Sequence, residues 1–186
     1  MKYFLIIIGL LITSSNIFSQ SFNNPESIVF DKSNDRYLVS NANTGSNKGE
    51  ILSLDPHTQE ISQFISKGLN SPKGLIIVNN TIFCTDLTEV KGFDLSTGSL
   101  TTSIMIEESL FLNDITSDGI NLFVSDNIKN KIFSINISTH KVTTLISGGD
   151  LSKPNGILYN QEKNSLIICS FRANSPIQSY DLNLNM

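Results

Sequence analysis

Residues 112–126, LNDITSDGINLFVSD, and residues 130–146, NKIFSINISTHKVTTLI, together form one unit of a sequence repeat. Each half holds two short runs of apolar and β-branched residues, separated by clusters of Asp, Gly, Asn, Ser and Thr. Such runs are typical of β-strands, because β-branched and aromatic side chains fit a pleated, half-buried surface. The unit therefore predicts four consecutive antiparallel strands, with no segment of helical periodicity.

Three other parts of the chain align with this unit. They are PESIVFDKSNDRYLVSN (25–41) with GEILSLDPHTQEISQFI (49–65), PKGLIIVNNTIFCTD (72–86) with VKGFDLSTGSLTTSIMI (90–106), and PNGILYNQEKNSLIICS (154–170) with PIQSYDLNLNM (176–186). Residues that open the first strand recur at spacings of 47, 40 and 42: Glu26, Lys73, Asn113 and Asn155. Residues that close the second strand recur at spacings of 45, 40 and 44: Asn41, Asp86, Asp126 and Ser170. A third mark recurs at spacings of 39, 42 and 45: Asp55, Asp94, Asn136 and Asp181.

Four strands in each repeat of about 40 residues are the signature of a β-propeller blade. We therefore predict an all-β propeller of four-stranded antiparallel blades in a domain covering residues 20–186. The last unit stops after its third strand, so we expect four blades with the last incomplete, from a longer propeller that lacks about two blades here. The predicted blades cover about residues 24–66, 69–107, 109–148 and 151–186.

The first nineteen residues predict a cleavable signal peptide. Lys2 supplies a short positive region, an apolar run follows from Tyr3 to Ile12, and residues 13–20 are small and polar. The run is too short to span a bilayer, and no second apolar segment of spanning length follows. We expect a secreted or periplasmic protein with no membrane span after signal cleavage.

Composition excludes several classes of function. The 186 residues carry 17 acidic and 13 basic side chains, a balance that argues against a nucleic-acid partner. Cys84 and Cys169 lie in equivalent strands two blades apart, so we expect free, buried thiols instead of a disulfide. His57 and His140 lie in predicted turns and are expected to be solvated. No motif of a serine hydrolase, zincin, nucleotide-binding loop or dehydrogenase occurs.

Three short motifs resemble those of one propeller family. The sequences PES at 25–27, FLND at 111–114 and PNGI at 154–157 resemble, in that order, the calcium-dependent family of gluconolactonase, regucalcin and luciferin-regenerating enzyme. This resemblance implies a six-bladed parent fold and a divalent cation, usually Ca²⁺, at the mouth of the central channel. It also implies hydrolysis of a small-molecule substrate, a sugar lactone or a related ester.

The resemblance assigns roles to three residues. Glu26 and Asn155 match metal ligands, and Asn113 matches a residue that contacts substrate. The family's third ligand, in a D-G motif of the fifth blade, has no counterpart, and no residue is assigned as general base. Independently, the predicted ring of Glu, Asp and Asn oxygens at strand ends suits a hard cation such as calcium.

Other interpretations stay open from the residues alone. Asn113 and Asn155 are also common turn formers, and Asp86 and Asp126 are equally suited to bond loop backbone. The leading hypothesis is an exported, metal-dependent hydrolase of a lactone or ester. The alternative is a non-catalytic propeller, similar to NHL-type repeats, that binds a ligand or a protein partner. The fold does not choose between them, because function depends on the site.

Overall fold

A computed structural model describes residues 22–42 and 49–185 as four antiparallel sheets joined in chain order. The predicted signal peptide, residues 1–19, lies outside the described residues. Within the described part, no helix is long and apolar enough to cross a membrane. The chain there is almost entirely strand and turn, with one short 3₁₀ helix at Leu182–Asn185.

The first three sheets have four strands each and the fourth has three. In chain order the strands are β1 (Pro25–Asp31), β2 (Arg36–Asn41), β3 (Glu50–Leu54), β4 (Ile61–Ile65), β5 (Pro72–Val78), β6 (Thr81–Asp86), β7 (Glu89–Asp94), β8 (Leu100–Met105), β9 (Leu112–Ser117), β10 (Asn121–Asp126), β11 (Lys131–Asn136), β12 (Val142–Ser147), β13 (Pro154–Asn160), β14 (Ser165–Ser170) and β15 (Gln178–Asp181). Within each sheet, neighbouring strands are consecutive in the chain.

The first strand of each sheet packs against the first strand of the next. Contacts join β1 to β5, β5 to β9 and β9 to β13. These four strands are therefore innermost, and the later strands of each sheet lie progressively further out. This arrangement is a β-propeller, which confirms the predicted fold class. Among the described residues the fourth blade contains three strands.

Asp55 and the residues equivalent to it in the repeat stabilise the turns that follow the third strands. Oδ1 of Asp55 accepts hydrogen bonds from the backbone N–H groups of His57 and Thr58, both at 2.8 Å. This Asx turn reverses the chain between the third and fourth strands. The backbone bonds also lower the pKa of the Asp55 carboxyl. The equivalent residues bond to backbone two or three positions further along: Asp94, Asn136 and Asp181.

The core is divided among the three joints where one blade packs on the next. Each joint contains one cluster of buried apolar side chains. Members of the clusters, from the first joint to the third, are Leu38, Ile51, Leu75, Ile82 and Phe93; Phe83, Val90, Ile115, Val124 and Phe133; and Phe123, Ile132, Ile157, Leu166 and Ile168. The fold is therefore stabilised mainly between blades, since each sheet buries its apolar faces only against its neighbours.

The two cysteines differ in environment. Both are free thiols, and Cys84 is buried as expected, which raises the pKa of its thiol. Cys169 is exposed, so the prediction of a buried thiol is wrong for this residue. Its strand, β14, belongs to the fourth blade, whose forward face has no further blade against it among the described residues.

Candidate functional site at the channel mouth

Four residues that open the inner strands form the candidate site. Glu26, Lys73 and Asn155 each follow the proline that begins their strand, and Asn113 follows Leu112. Proline suits the first position of a strand, because no ladder hydrogen bond from its nitrogen is needed there. We call these four residues the mouth ring.

A hydroxyl group in the second strand of each complete blade fixes this ring. Oγ1 of Thr85 accepts a hydrogen bond from the Gly74 N–H at 2.9 Å and donates one to the Asn113 carbonyl at 2.7 Å. It therefore links the inner strand of its own blade to the inner strand of the next. The same paired bonds are made by Ser40, to Ser27 N–H and Lys73 carbonyl, and by Ser125, to Asp114 N–H and Asn155 carbonyl.

We call Ser40, Thr85 and Ser125 the clamp hydroxyls. All three are fully buried, so no water competes for their bonds. Because each hydroxyl touches two successive inner strands near their first residues, those strands begin at the same end of the channel. The four residues of the mouth ring therefore lie on neighbouring inner strands at one end of the channel.

Two members of the mouth ring form an ion pair. Nζ of Lys73 lies 2.7 Å from Oε1 of Glu26, and both side chains are partly shielded from solvent. The same Nζ lies 5.2 Å from the centre of the Phe111 ring, within the range of a cation–π contact. The predicted metal ligand Glu26 is thus already paired with an ammonium group. A metal ion bound to this carboxylate would have to compete with Lys73.

The other two members of the mouth ring are asparagines. Asn113 and Asn155 are half-buried, and their backbone carbonyls are bonded to the clamp hydroxyls Thr85 and Ser125. Among the described residues, neither side-chain amide has a hydrogen-bond partner. Glu26 lies at the opposite end of the mouth ring from Asn155, with Lys73 and Asn113 between them. The two predicted metal ligands do not hydrogen-bond to each other.

A carboxyl group beside the ring has an architectural role. Oδ1 of Asp114 accepts a bond from the Ile115 N–H and Oδ2 accepts one from the Ile157 N–H, both at 2.9 Å. Burial raises the pKa of Asp114, and the two backbone bonds partly oppose that shift. Because both oxygens hold backbone, one of them in the next blade, this carboxyl joins the third blade to the fourth.

The acidic residues that close the second strands hold loops. Asp86 accepts hydrogen bonds from the backbone N–H groups of Asn70 and Ser71. It also forms an ion pair with Lys91, whose Nζ lies 2.6 Å from Oδ2 of Asp86. Asp126 accepts bonds from the backbone of Leu110 in the same way. In the described residues, no group of three His, Cys, Asp or Glu side chains is placed to hold a metal. A cation at the mouth would need asparagine, backbone or water oxygens beside Glu26.

Sequence reasoning identified the mouth ring but missed how it is held and paired. The pairing of Lys73 with Glu26 leaves no local signal, since 47 positions separate the two residues. The clamp hydroxyls, in contrast, can be recognised in the sequence. Ser40, Thr85 and Ser125 each stand directly before the polar residue that closes the second strand. A hydroxyl residue repeated at that position indicates a bond between blades.

Fold and site together define a β-propeller with a polar channel mouth. No known family model and no curated protein sequence matches the chain. Among solved structures, it is similar to Kuenenia stuttgartiensis hydrazine synthase, with a TM-score of 0.70, 13% identity, and coverage of 93% of this chain and 50% of that one. It is also similar to an extracellular domain from B. thetaiotaomicron, in a protein whose name describes a one-component system, with a TM-score of 0.59, 16% identity and coverage of 79% and 19%.

At these identities the similarity shows the fold alone. The chain spans half or less of the length of both solved chains. Neither structure supports the gluconolactonase family in particular, so that resemblance stays a prediction.

Proposed function

We propose that this protein is an exported propeller whose mouth ring binds a small, uncharged, polyhydroxylated molecule such as a sugar lactone. The observation that carries this proposal is the pair of unpartnered amides of Asn113 and Asn155 on neighbouring inner strands. Export is supported by the predicted signal peptide and by the extracellular origin of one structural neighbour.

The chemistry of the ring fits such a ligand. An amide offers one acceptor and two donors, which complements hydroxyl groups that both donate and accept. The Lys73 ammonium has three donors and gives one to Glu26, so further donors are available to a carbonyl oxygen. Because Glu26 and Lys73 neutralise each other, the mouth has little preference for a charged ligand. Few, well-placed polar groups are what fix a ligand's orientation in such sites.

Calorimetric titration with glucono-δ-lactone tests this proposal. Asn113→Ala and Asn155→Ala should each weaken binding about 3- to 10-fold, the value of one lost hydrogen bond. Gln161→Ala is the matched control, because Gln161 is exposed in the turn that follows β13, at the other end of the same blade. If both asparagine variants bind as wild type does, the ligand does not use the mouth ring and the proposal is wrong.

A second candidate function is calcium-dependent hydrolysis of the same class of ligand. It is favoured by Glu26, which is the one carboxylate of the mouth ring and is partly exposed. Glu26 and Asn155 would hold the ion, with water oxygens completing its shell, and Asn113 would hold the substrate. A bound cation there would supply Lewis-acid polarisation of a carbonyl and lower the pKa of a water. Lys73 would first have to release Glu26.

Calcium titration and lactone hydrolysis assays separate the two functions. For a hydrolase, Glu26→Gln should remove calcium binding and turnover together. Asn113→Ala should keep calcium affinity and lower turnover. Equal calcium affinity in wild type and Glu26→Gln would remove Glu26 from any metal site, and ligand binding would then be the function that stands.

A further inference from the structure

Three apolar residues lie beside the channel mouth, at the joint between the second and third blades. They are Leu110 and Phe111, in the loop before β9, and Ile128, in the turn after β10. Leu110 is 51% exposed, Ile128 is 53% exposed and Phe111 is partly exposed. We call these three residues the ledge. None of them belongs to a buried cluster of the described chain, so core packing does not account for their apolar side chains.

One buried carboxylate holds the parts of the ledge together. Oδ2 of Asp126 accepts hydrogen bonds from the backbone N–H groups of Leu110 at 2.7 Å and Phe111 at 3.2 Å. Oδ1 of Asp126 accepts one from the Ile128 N–H at 2.9 Å. The Phe111 carbonyl also accepts a bond from the Asn127 N–H at 3.1 Å. The loop and the turn therefore lie against each other, so their apolar side chains share one small surface.

The repeat shows that the fold does not require apolar residues in this loop. In the second blade, Asp86 makes the same backbone bonds to Asn70 and Ser71, which correspond to Leu110 and Phe111. The corresponding residues of the first and fourth blades are also polar: Asn23, Asn24, Ser152 and Lys153. The bonds that hold the loop come from backbone N–H groups, so a polar side chain serves equally well. The apolar pair of the third blade is therefore available for another role.

The ledge is continuous with the mouth ring. The centre of the Phe111 ring lies 5.2 Å from Nζ of Lys73, and Asn113 follows two residues after Phe111. A ligand bound by Lys73 and the Asn113 amide would therefore have one side next to the ledge. Both blades that meet at this joint have four strands within the described residues.

We propose that the ledge binds an apolar substituent of a ligand whose polar part lies in the mouth ring. The ligand would then be amphipathic: a polyhydroxylated ring or lactone that carries an aromatic ring or a short alkyl chain. The small size of the ledge favours such a group over a protein, since a standard protein interface uses about 20–30 residues on each side. Removing apolar surface from water would add to the affinity that the mouth ring supplies. This inference rests on the proposed function, because the mouth ring must hold the polar part.

Titration calorimetry with phenyl and methyl β-D-glucopyranoside tests the inference. The two compounds differ only in the apolar substituent, and neither has an ester bond that a hydrolase could cleave. Wild type should bind the phenyl compound about 5- to 20-fold more tightly, the value of withdrawing part of one aromatic ring from water. The double variant Leu110→Asn, Ile128→Thr should bind both compounds equally. Ile120→Thr is the control and should keep the wild-type preference, because Ile120 is exposed in the turn between β9 and β10, at the other end of the third blade.

Circular dichroism checks that the double variant keeps its strand spectrum, as expected when asparagine already stands at the Leu110 position of two other blades. Either single substitution serves if the double variant unfolds. Equal affinity of wild type for the two glucosides overturns the inference and leaves the proposed function intact. A preference for the phenyl compound that the ledge variants keep overturns it in the same way.

Asn113→Ala distinguishes a failure of the inference from a failure of the proposed function. Weaker binding of both glucosides to this variant supports the mouth ring as the site of the polar part. Unchanged binding of both contradicts the proposed function, and with it the link between ledge and mouth. A wild type that binds neither glucoside overturns both proposals. Sedimentation equilibrium covers the remaining occupant: a wild-type pair of chains that the double variant separates would make the ledge a protein interface and overturn the inference.

Discussion

Thr85→Val removes a clamp hydroxyl while keeping the shape of the side chain. Thr85 is fully buried in β6, and valine has almost the same volume and the same branching. The change leaves the Gly74 N–H and the Asn113 carbonyl without their partner. Both groups lie at the joint between the second and third blades, where water does not reach the missing oxygen.

The size of the effect follows from the number of groups left unpaired. A buried polar group that loses its partner costs about 1–3 kcal/mol, and two are affected here. The added methyl group of valine returns about 1 kcal/mol of burial. We expect the free energy of unfolding to fall by about 1–5 kcal/mol. This is a large share of the 5–15 kcal/mol that is typical of a domain.

Urea unfolding at one fixed protein concentration measures this loss. Thr85→Ser should be milder, because it keeps the hydroxyl and deletes one buried methyl group. Thr143→Val is the matched control on an outer strand, where the exposed hydroxyl makes only a 3.4 Å bond to the Ser134 carbonyl; it should stay within about 0.5 kcal/mol of wild type. If Thr85→Val costs no more than Thr143→Val, the clamp hydroxyls do not hold the blades together.

Three further predictions concern charged groups. Because burial raises the pKa of Asp114 from 3.8, the contribution of this carboxyl to stability should decrease as pH rises above that value. Asp114→Asn lacks this contribution, so its Tm relative to wild type should rise as pH increases from below 3.8, and a difference that stays constant would contradict the role of burial. Lys91→Met leaves the buried Asp86 carboxylate without its ammonium and should cost about 3–5 kcal/mol in urea unfolding, whereas a loss under 1 kcal/mol would show that the pair is dispensable. Lys73→Met frees Glu26 from its ion pair, so titration calorimetry should show tighter calcium binding to this variant than to wild type. Unchanged calcium affinity would mean that Lys73 does not compete with a cation for Glu26.

The fold could be predicted from the sequence because the residues that recur in each blade make hydrogen bonds within that same blade. Asp55 and its equivalents bond the backbone of their own hairpins, and Asp86 bonds a loop of its own blade. A residue type that makes the same local hydrogen bonds in every blade recurs at a fixed spacing along the chain. That spacing can be read from a single sequence. The clamp hydroxyls recur in the same way, although their bonds cross to the next blade.

The pairing within the site was less predictable. Glu26 and Lys73 contribute to different blades, and the period of the repeat does not say which side chains of adjacent inner strands turn toward each other. Cys169 shows the same limit. Its strand matches that of Cys84, but Ile168 takes the position of Cys84 and Cys169 takes that of Thr85, on the face that only a following blade would cover. Contacts between blades therefore needed the structure.

Side-chain amide resonances provide the most direct test of the channel mouth as a ligand site. The NH₂ groups of Asn113 and Asn155 can be assigned by comparison with the two alanine variants and followed by ¹H–¹⁵N NMR while freshly dissolved glucono-δ-lactone is added. We predict that both pairs of resonances shift and saturate with one dissociation constant, while the amide of Gln161 stays unchanged. Resonances of Asn113 and Asn155 that stay fixed up to saturating lactone would contradict the proposed site.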